Sequence, residues 1–186
     1  MKKLRNKIAI ETLNYIKKYS WEKITVQKIS LHFKKDKKKF LNLIHNENDL
    51  LSNIIIYFDN KILDSENSID QSSKKDMIFE IFMMRFDFLN NHRLSILKIF
   101  NMLKKNPDKL IFLLPLFIQS IKIMLDLAKI KYNKLSGSLK INIFLVIYFS
   151  TFLIWIKDES DSLDKTMITL DNYLTKADNI MKLIKN

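Results

Sequence analysis

Residues 25–51 read Thr25-Val26-Gln27-Lys28-Ile29-Ser30-Leu31-His32-Phe33-Lys34-Lys35-Asp36-Lys37-Lys38-Lys39-Phe40-Leu41-Asn42-Leu43-Ile44-His45-Asn46-Glu47-Asn48-Asp49-Leu50-Leu51, and the fold turns on how they divide. Thr25 is an N-cap residue for a helix from Val26 to about Phe33, whose Val26, Ile29 and Phe33 fall on one face. Lys34-Lys35 interrupts it, and Asp36 caps a further helix over Lys37–Ile44 that presents Phe40, Leu41 and Ile44 to a core. His45-Asn46 ends that helix. Asn46 with Asp49 three residues on has the spacing of a capping box, opening a longer helix through Leu50, Leu51, Ile54, Ile55 and Phe58 to about Leu63.

Upstream, apolar Leu4, Ile8, Leu13 and Ile16 recur at helical spacing, with Tyr15 and Tyr19 beside them, which predicts a helix over about Lys3–Lys18. Ser20-Trp21-Glu22 breaks it. Downstream, the polar stretch Asp64 to Ser73 marks a boundary, and helices are predicted at about 74–90, 92–104, 107–131, 136–157 and 161–184. The count is about nine. Pro107 suits a first helical turn, whereas Pro115 lies inside a helix and should bend it. One glycine and two prolines leave little material for hairpins, so the fold class is all-α. The implied division is a head over 1–46, a connecting helix over 47–63 and a helical body over 74–186.

The apolar run Ile141 to Ile156 is shorter than the roughly 20 residues a bilayer core requires, and it contains Asn142, Ser150 and Thr151. It reads as a core or interface helix. The basic amino terminus has helical apolar spacing rather than the block of a signal peptide. With no cysteine in the chain, a cytoplasmic protein is expected.

Charge placement points to a partner. The net charge is +12, and residues 1–45 hold thirteen lysines and arginines against three acids, leaving only +2 for the remaining 141 residues. A head so biased faces a polyanion. Three short helices with a tight connection between the second and third describe a helix-turn-helix, which lays its third helix in the major groove of double-stranded DNA. Lys34, Lys35, Lys37, Lys38 and Lys39 can each neutralise a phosphate, and Thr25 and Lys28 stand where helix ends and lysines hold the backbone. Lys38, Lys39 and Asn42 are the candidates for base edges, since asparagine pairs with adenine and lysine reaches guanine.

From Thr25 to Leu51 the chain resembles the TetR family of bacterial transcriptional regulators, without a gap. Thr25-Val26 falls where that family opens its second helix and Ile29-Ser30 on its Ile-Ala pair. Asp36-Lys37 falls on the Ser-Lys that caps the recognition helix, Phe40-Leu41 on its Leu-Tyr pair, and Glu47-Asn48-Asp49-Leu50-Leu51 on the acidic-Leu-Leu start of its fourth helix. Lys34 replaces the family's turn glycine, so a reshaped or mildly strained turn is expected. Lys35 replaces a buried aliphatic residue, and Leu41-Asn42-Leu43-Ile44 lacks the family's phosphate-reaching tyrosine.

The resemblance implies a homodimer on a palindromic operator, controlled by a small apolar ligand in the body. The Met- and Phe-rich stretch Met77 to Phe88 supplies candidate ligand contacts at Phe82, Met83 and Phe86, joined by Phe100, Phe117 and Met124. Two long terminal helices resemble the family's dimer interface, with Phe144, Ile147, Tyr148, Trp155, Leu170 and Leu174 as candidate interface residues. Arg85, Asp87, His92 and Arg93 read as ion pairs and a capped helix junction. His32, His45 and His92 lack metal-ligand spacing. No catalytic group, metal or cofactor is expected, and the chain does not read as an enzyme.

The segment Trp155-Ile156-Lys157-Asp158-Glu159-Ser160, followed by Thr166 and Leu170-Asp171, is also similar to the carboxyl-terminal motif of the TetR-fold lipid-binding accessory proteins of coenzyme Q (ubiquinone) biosynthesis. Arg85-Phe86-Asp87 with His92-Arg93 is similar to regulators that share this ending. That resemblance implies an alternative, in which the body holds an isoprenoid or other lipid and the basic head docks on a membrane surface.

Overall fold

A computed structural model describes residues 1–132 and 136–185, with side chains described up to residue 179 apart from Ser136. Every regular element among the described residues is helical. The long helices are Lys2–Lys18, Glu47–Asp64, Lys74–Asn90, Arg93–Lys105, Pro107–Leu127, Ser136–Trp155 and Asp164–Lys185. Residues 26–41 form one further continuous helical segment, so the described residues hold eight helices, apart from the single 3-10 turns Trp21–Lys23 and Glu66–Ser68, rather than the nine expected. The reason is local. Val26–Ser30 and Lys37–Leu41 are joined by a 3-10 stretch, Leu31–Asp36, instead of a looped turn.

Within that stretch Phe33, at φ −116° and ψ 37°, and the terminal Asp36, at φ −114° and ψ 18°, leave helical geometry. Positive φ at a non-glycine residue occurs among the described residues only at Lys129 and Leu163. The lysine at position 34 therefore avoids the left-handed backbone that favours glycine, and the expected strain is absent there.

The chain forms two compact units, Met1–Leu63 with Phe88–Phe117, and Asp64–Asp87 with Ile118–Asn186. This differs from the expected single body over 74–186, because residues 88–117 group with the amino-terminal helices. The helices Pro107–Leu127 and Gly137–Trp155 are long and apolar enough to cross a membrane by length and composition.

In the first unit, Ile8, Leu13, Ile16, Ile29, Phe40, Ile44 and Leu50 are fully buried. Polar side chains then fix the helices to one another. Arg5 Nη1 donates to Asn53 Oδ1 at 3.2 Å, and Asn53 Nδ2 donates back to the Arg5 carbonyl at 2.7 Å. Ser95 Oγ donates to the Leu13 carbonyl at 2.7 Å. The Lys98 ammonium donates to the carbonyls of Lys17 and Tyr19, both at 2.9 Å, placing a cation on the carbonyl end of the Lys2–Lys18 helix.

In the second unit, Phe86 stacks on Tyr148 with ring centroids 5.6 Å apart, and on Trp155 at 6.5 Å. Phe82 meets Phe144 and Tyr148 edge-on. Arg85 is buried beside them and its Nε donates to the Tyr148 hydroxyl at 3.2 Å.

The turn into the last helix is built around Asp158. Its Oδ2 accepts from Thr166 N at 2.8 Å and Thr166 Oγ1 at 2.7 Å, and its Oδ1 accepts from the Ser160 hydroxyl at 2.6 Å. Burial alone would raise this carboxyl's pKa, but the hydrogen bonds from Ser160 and Thr166 outweigh it and hold the pKa at about 2. The same turn places buried Leu163 at φ 55°, a left-handed conformation costing on the order of 1 kcal/mol. The Asp158 bonds offset it.

Candidate nucleic-acid interface

The short helices of the head are positioned by three contacts. Thr25 caps Val26–Ser30, its hydroxyl accepting from Lys28 N at 3.2 Å. The Val26 N–H, which the helix itself leaves without an acceptor, donates to Glu47 Oε1 at 3.2 Å. Phe33 and Phe40 stack at 5.1 Å, tying the 3-10 stretch to the helix Lys37–Leu41 from inside. Beneath them the capping box forms as spaced. Asp49 N donates to Asn46 Oδ1 at 3.0 Å, while Asp49 Oδ2 accepts from His45 N at 2.7 Å and Asn46 N at 3.3 Å.

With Phe33 and Phe40 turned inward, Lys34, Lys35, Lys37, Lys38 and Lys39 are all exposed. They form a dense positive arc over six residues, opposed locally by Asp36, which lies 3.3 Å from Lys39 Nζ. Lys28 is differently employed: its ammonium donates to the Lys23 carbonyl at 2.7 Å, clamping the preceding turn. Asn42 is exposed but sits just past the helix Lys37–Leu41, as its C-cap residue. The expected helix to Ile44 is thus shorter by one turn, and Leu41, expected in the core, is 44% exposed. Its neighbour Phe40 takes the inward position.

The charge is confined more sharply than position along the chain indicates. The first unit holds nineteen lysines and arginines against seven acids, a net +12, and the second holds thirteen of each, a net of zero. Residues 88–117 add Arg93, Lys98, Lys104, Lys105 and Lys109 to the basic side.

The candidate ligand residues divide. Phe82, Phe86 and Met124 are buried and Met83 half-buried in the second unit, whereas half-buried Phe100 and Phe117 belong to the first. The expected charged cluster divides too. Arg85 packs with Tyr148 in the second unit. In the first, Arg93 donates to Asn90 Oδ1 at 3.2 Å, and His92 lies between Tyr57 and Phe58. Burial, with Lys17 and Lys61 nearby, pushes His92 below the usual histidine range.

The candidate interface residues Phe144, Ile147, Tyr148, Trp155, Leu170 and Leu174 are all buried inside one chain. These six side chains are covered within the single chain. Among the described residues, the large exposed apolar side chains on the last two helices are Leu139, Val146, Leu153, Met167 and Ile168, the first three at seven-residue spacing. A helix apolar all round gives no periodicity to tell its inner face from its outer one.

Two elements had no short-range signal. The Glu47 carboxylate reaches Val26 from 21 residues away, and Lys98 reaches the first helix from 81. No protein-family model matches the chain, and no curated protein matches it in sequence.

Proposed function

We propose that the chain is a TetR-like DNA-binding transcriptional regulator. The observation that carries this reading is the exposed lysine arc over 34–39, on a unit that holds the whole net charge. A polyanion at regular spacing complements such an arc, and released counterions drive the association. Lys34, Lys35 and Lys37 hold phosphates, while Lys38, Lys39 and Asn42 approach base edges. A second copy packs on Leu139, Val146 and Leu153, with Met167 and Ile168, giving a twofold dimer suited to a palindromic operator. A small apolar ligand among Phe82, Phe86 and Met124 controls affinity by binding two arrangements of the dimer unequally.

The test is fluorescence anisotropy against duplex DNA from the chain's own upstream region and against a scrambled duplex, at two salt concentrations. Preference for the native duplex that survives moderate salt is the expected result. Equal binding to both, erased by salt, contradicts it. Exposed Leu31 and Leu41 beside the lysines favour one other reading, a lipid-binding accessory protein whose basic head lies on anionic membrane. Head variants that lose vesicle binding while the two duplexes bind alike would establish that one instead.

A further inference from the structure

The helix Pro107–Leu127 begins with an apolar surface that neither the DNA reading nor the dimer face uses. Leu110, Ile111, Phe112, Leu114 and Pro115 are exposed, Ile111 to 70% and Phe112 to 48%, while Leu113 between them is buried. At about 100° per residue these five cover roughly 200° of the helix circumference. A single partner helix covers a narrower stripe, so the arc fits a broad apolar medium better than a helix–helix seam.

Its charge selects the medium. Residues 98–117 contain Lys98, Lys104, Lys105 and Lys109 against Asp108 alone, within the unit of net +12. A second copy seated there would bring like charge against like, and a DNA backbone offers nothing to the apolar side chains. An anionic lipid surface complements both features.

Depth is limited as well. The apolar run Leu110 to Ile118 spans nine residues, about 13 Å of helix against a hydrocarbon core of about 30 Å. Gln119, Lys122 and Asp126 follow. Pro115 has no N–H to give the Ile111 carbonyl, which therefore favours the hydrated interface over the bilayer centre.

We infer that the exposed side chains of the segment Leu110–Pro115, with the exposed Lys104 and Lys105 shortly before it in the chain, dock on an anionic phospholipid surface at interfacial depth. This surface is separate from the lysine arc of the head, and the experiment keeps the two apart. The full chain is co-sedimented with phosphatidylcholine vesicles with and without phosphatidylserine, and titrated in parallel with duplex DNA. Binding to the phosphatidylserine vesicles is expected to fall about tenfold or more in Ile111→Asp/Phe112→Asp, with DNA affinity retained.

An Ile111→Trp variant supplies a readout that does not depend on losing anything. Its added fluorescence should shift to the blue on anionic vesicles and be quenched by brominated acyl chains. No vesicle binding by the parent chain, or no shift at position 111, overturns the inference. So does vesicle binding that Ile111→Asp/Phe112→Asp leaves intact while head-lysine reversal abolishes it. A loss of dimer mass in the aspartate variant, without any change in vesicle binding, assigns the surface to a second copy and equally overturns it.

Discussion

The two compact units are of equal length, 63 and 30 residues against 24 and 69, yet one carries nineteen basic residues to seven acids and the other thirteen of each. A lysine-rich composition would load both alike. The contrast extends to how each is held. Side chains crossing between helices to backbone or amide groups fasten the basic unit, as with Asn53 on Arg5, Ser95 on Leu13 and Lys98 on the end of the first helix. The neutral unit is fastened by a stack of aromatic rings and one buried carboxylate. The difference is one of degree, since the basic unit also buries the stacked pair Phe33 and Phe40, and Arg85 crosses to Tyr148 in the neutral one.

That contrast is sharpened most by substitutions in the two interiors. Phe86→Ala removes the ring between Tyr148 and Trp155 and should cost about 3–5 kcal/mol in denaturant unfolding. Leu41→Ala in the basic head, at a position that reads as core but is exposed, should cost under about 0.5 kcal/mol. Equal losses would mean that Leu41 is packed after all.

Next in size is Asp158. Replacing it with alanine strands the Thr166 N–H and hydroxyl, at about 2–4 kcal/mol. Its folded pKa of about 2 lies below the ordinary 3.8, so its contribution is complete above pH 4 and is lost as pH falls through 2. Parent stability should therefore drop about 2 kcal/mol more than that of Asp158→Asn between pH 4 and pH 2. Parallel profiles would break the assignment. A smaller effect than that of Asp158 belongs to Lys98→Met, about 0.5–1 kcal/mol, with faster amide exchange confined to the last turn of Lys2–Lys18.

Much of the fold could be read from local pattern. Thr25 and the Asn46–Asp49 box act over three residues, and the sequence shows both partners. The helical class followed from the scarcity of turn residues, and the clustering of lysine at 34–39 was visible directly. What escaped was long-range or faceless. The recruitment of residues 88–117 into the basic unit depends on packing between elements far apart in sequence. The inner and outer faces of Ser136–Trp155 are chemically alike, so Tyr148 and Trp155 looked as available as Val146 and Leu153. The 3-10 join at Leu31–Asp36 escaped because a lysine at a turn says only that left-handed backbone is disfavoured, not what replaces it.

The measurement that bears most directly on the central claim compares two charge reversals of equal size by the salt dependence of DNA affinity. One is Lys37→Glu/Lys38→Glu/Lys39→Glu in the exposed arc; the other is Lys157→Glu/Lys165→Glu/Lys176→Glu, exposed in the neutral unit. The head variant should lose about 3 from the slope of log affinity against log salt and at least about 100-fold in affinity, while the other keeps the parent slope within about 1. Equal losses in both would show that DNA responds only to total charge, and would contradict an interface at the lysine arc.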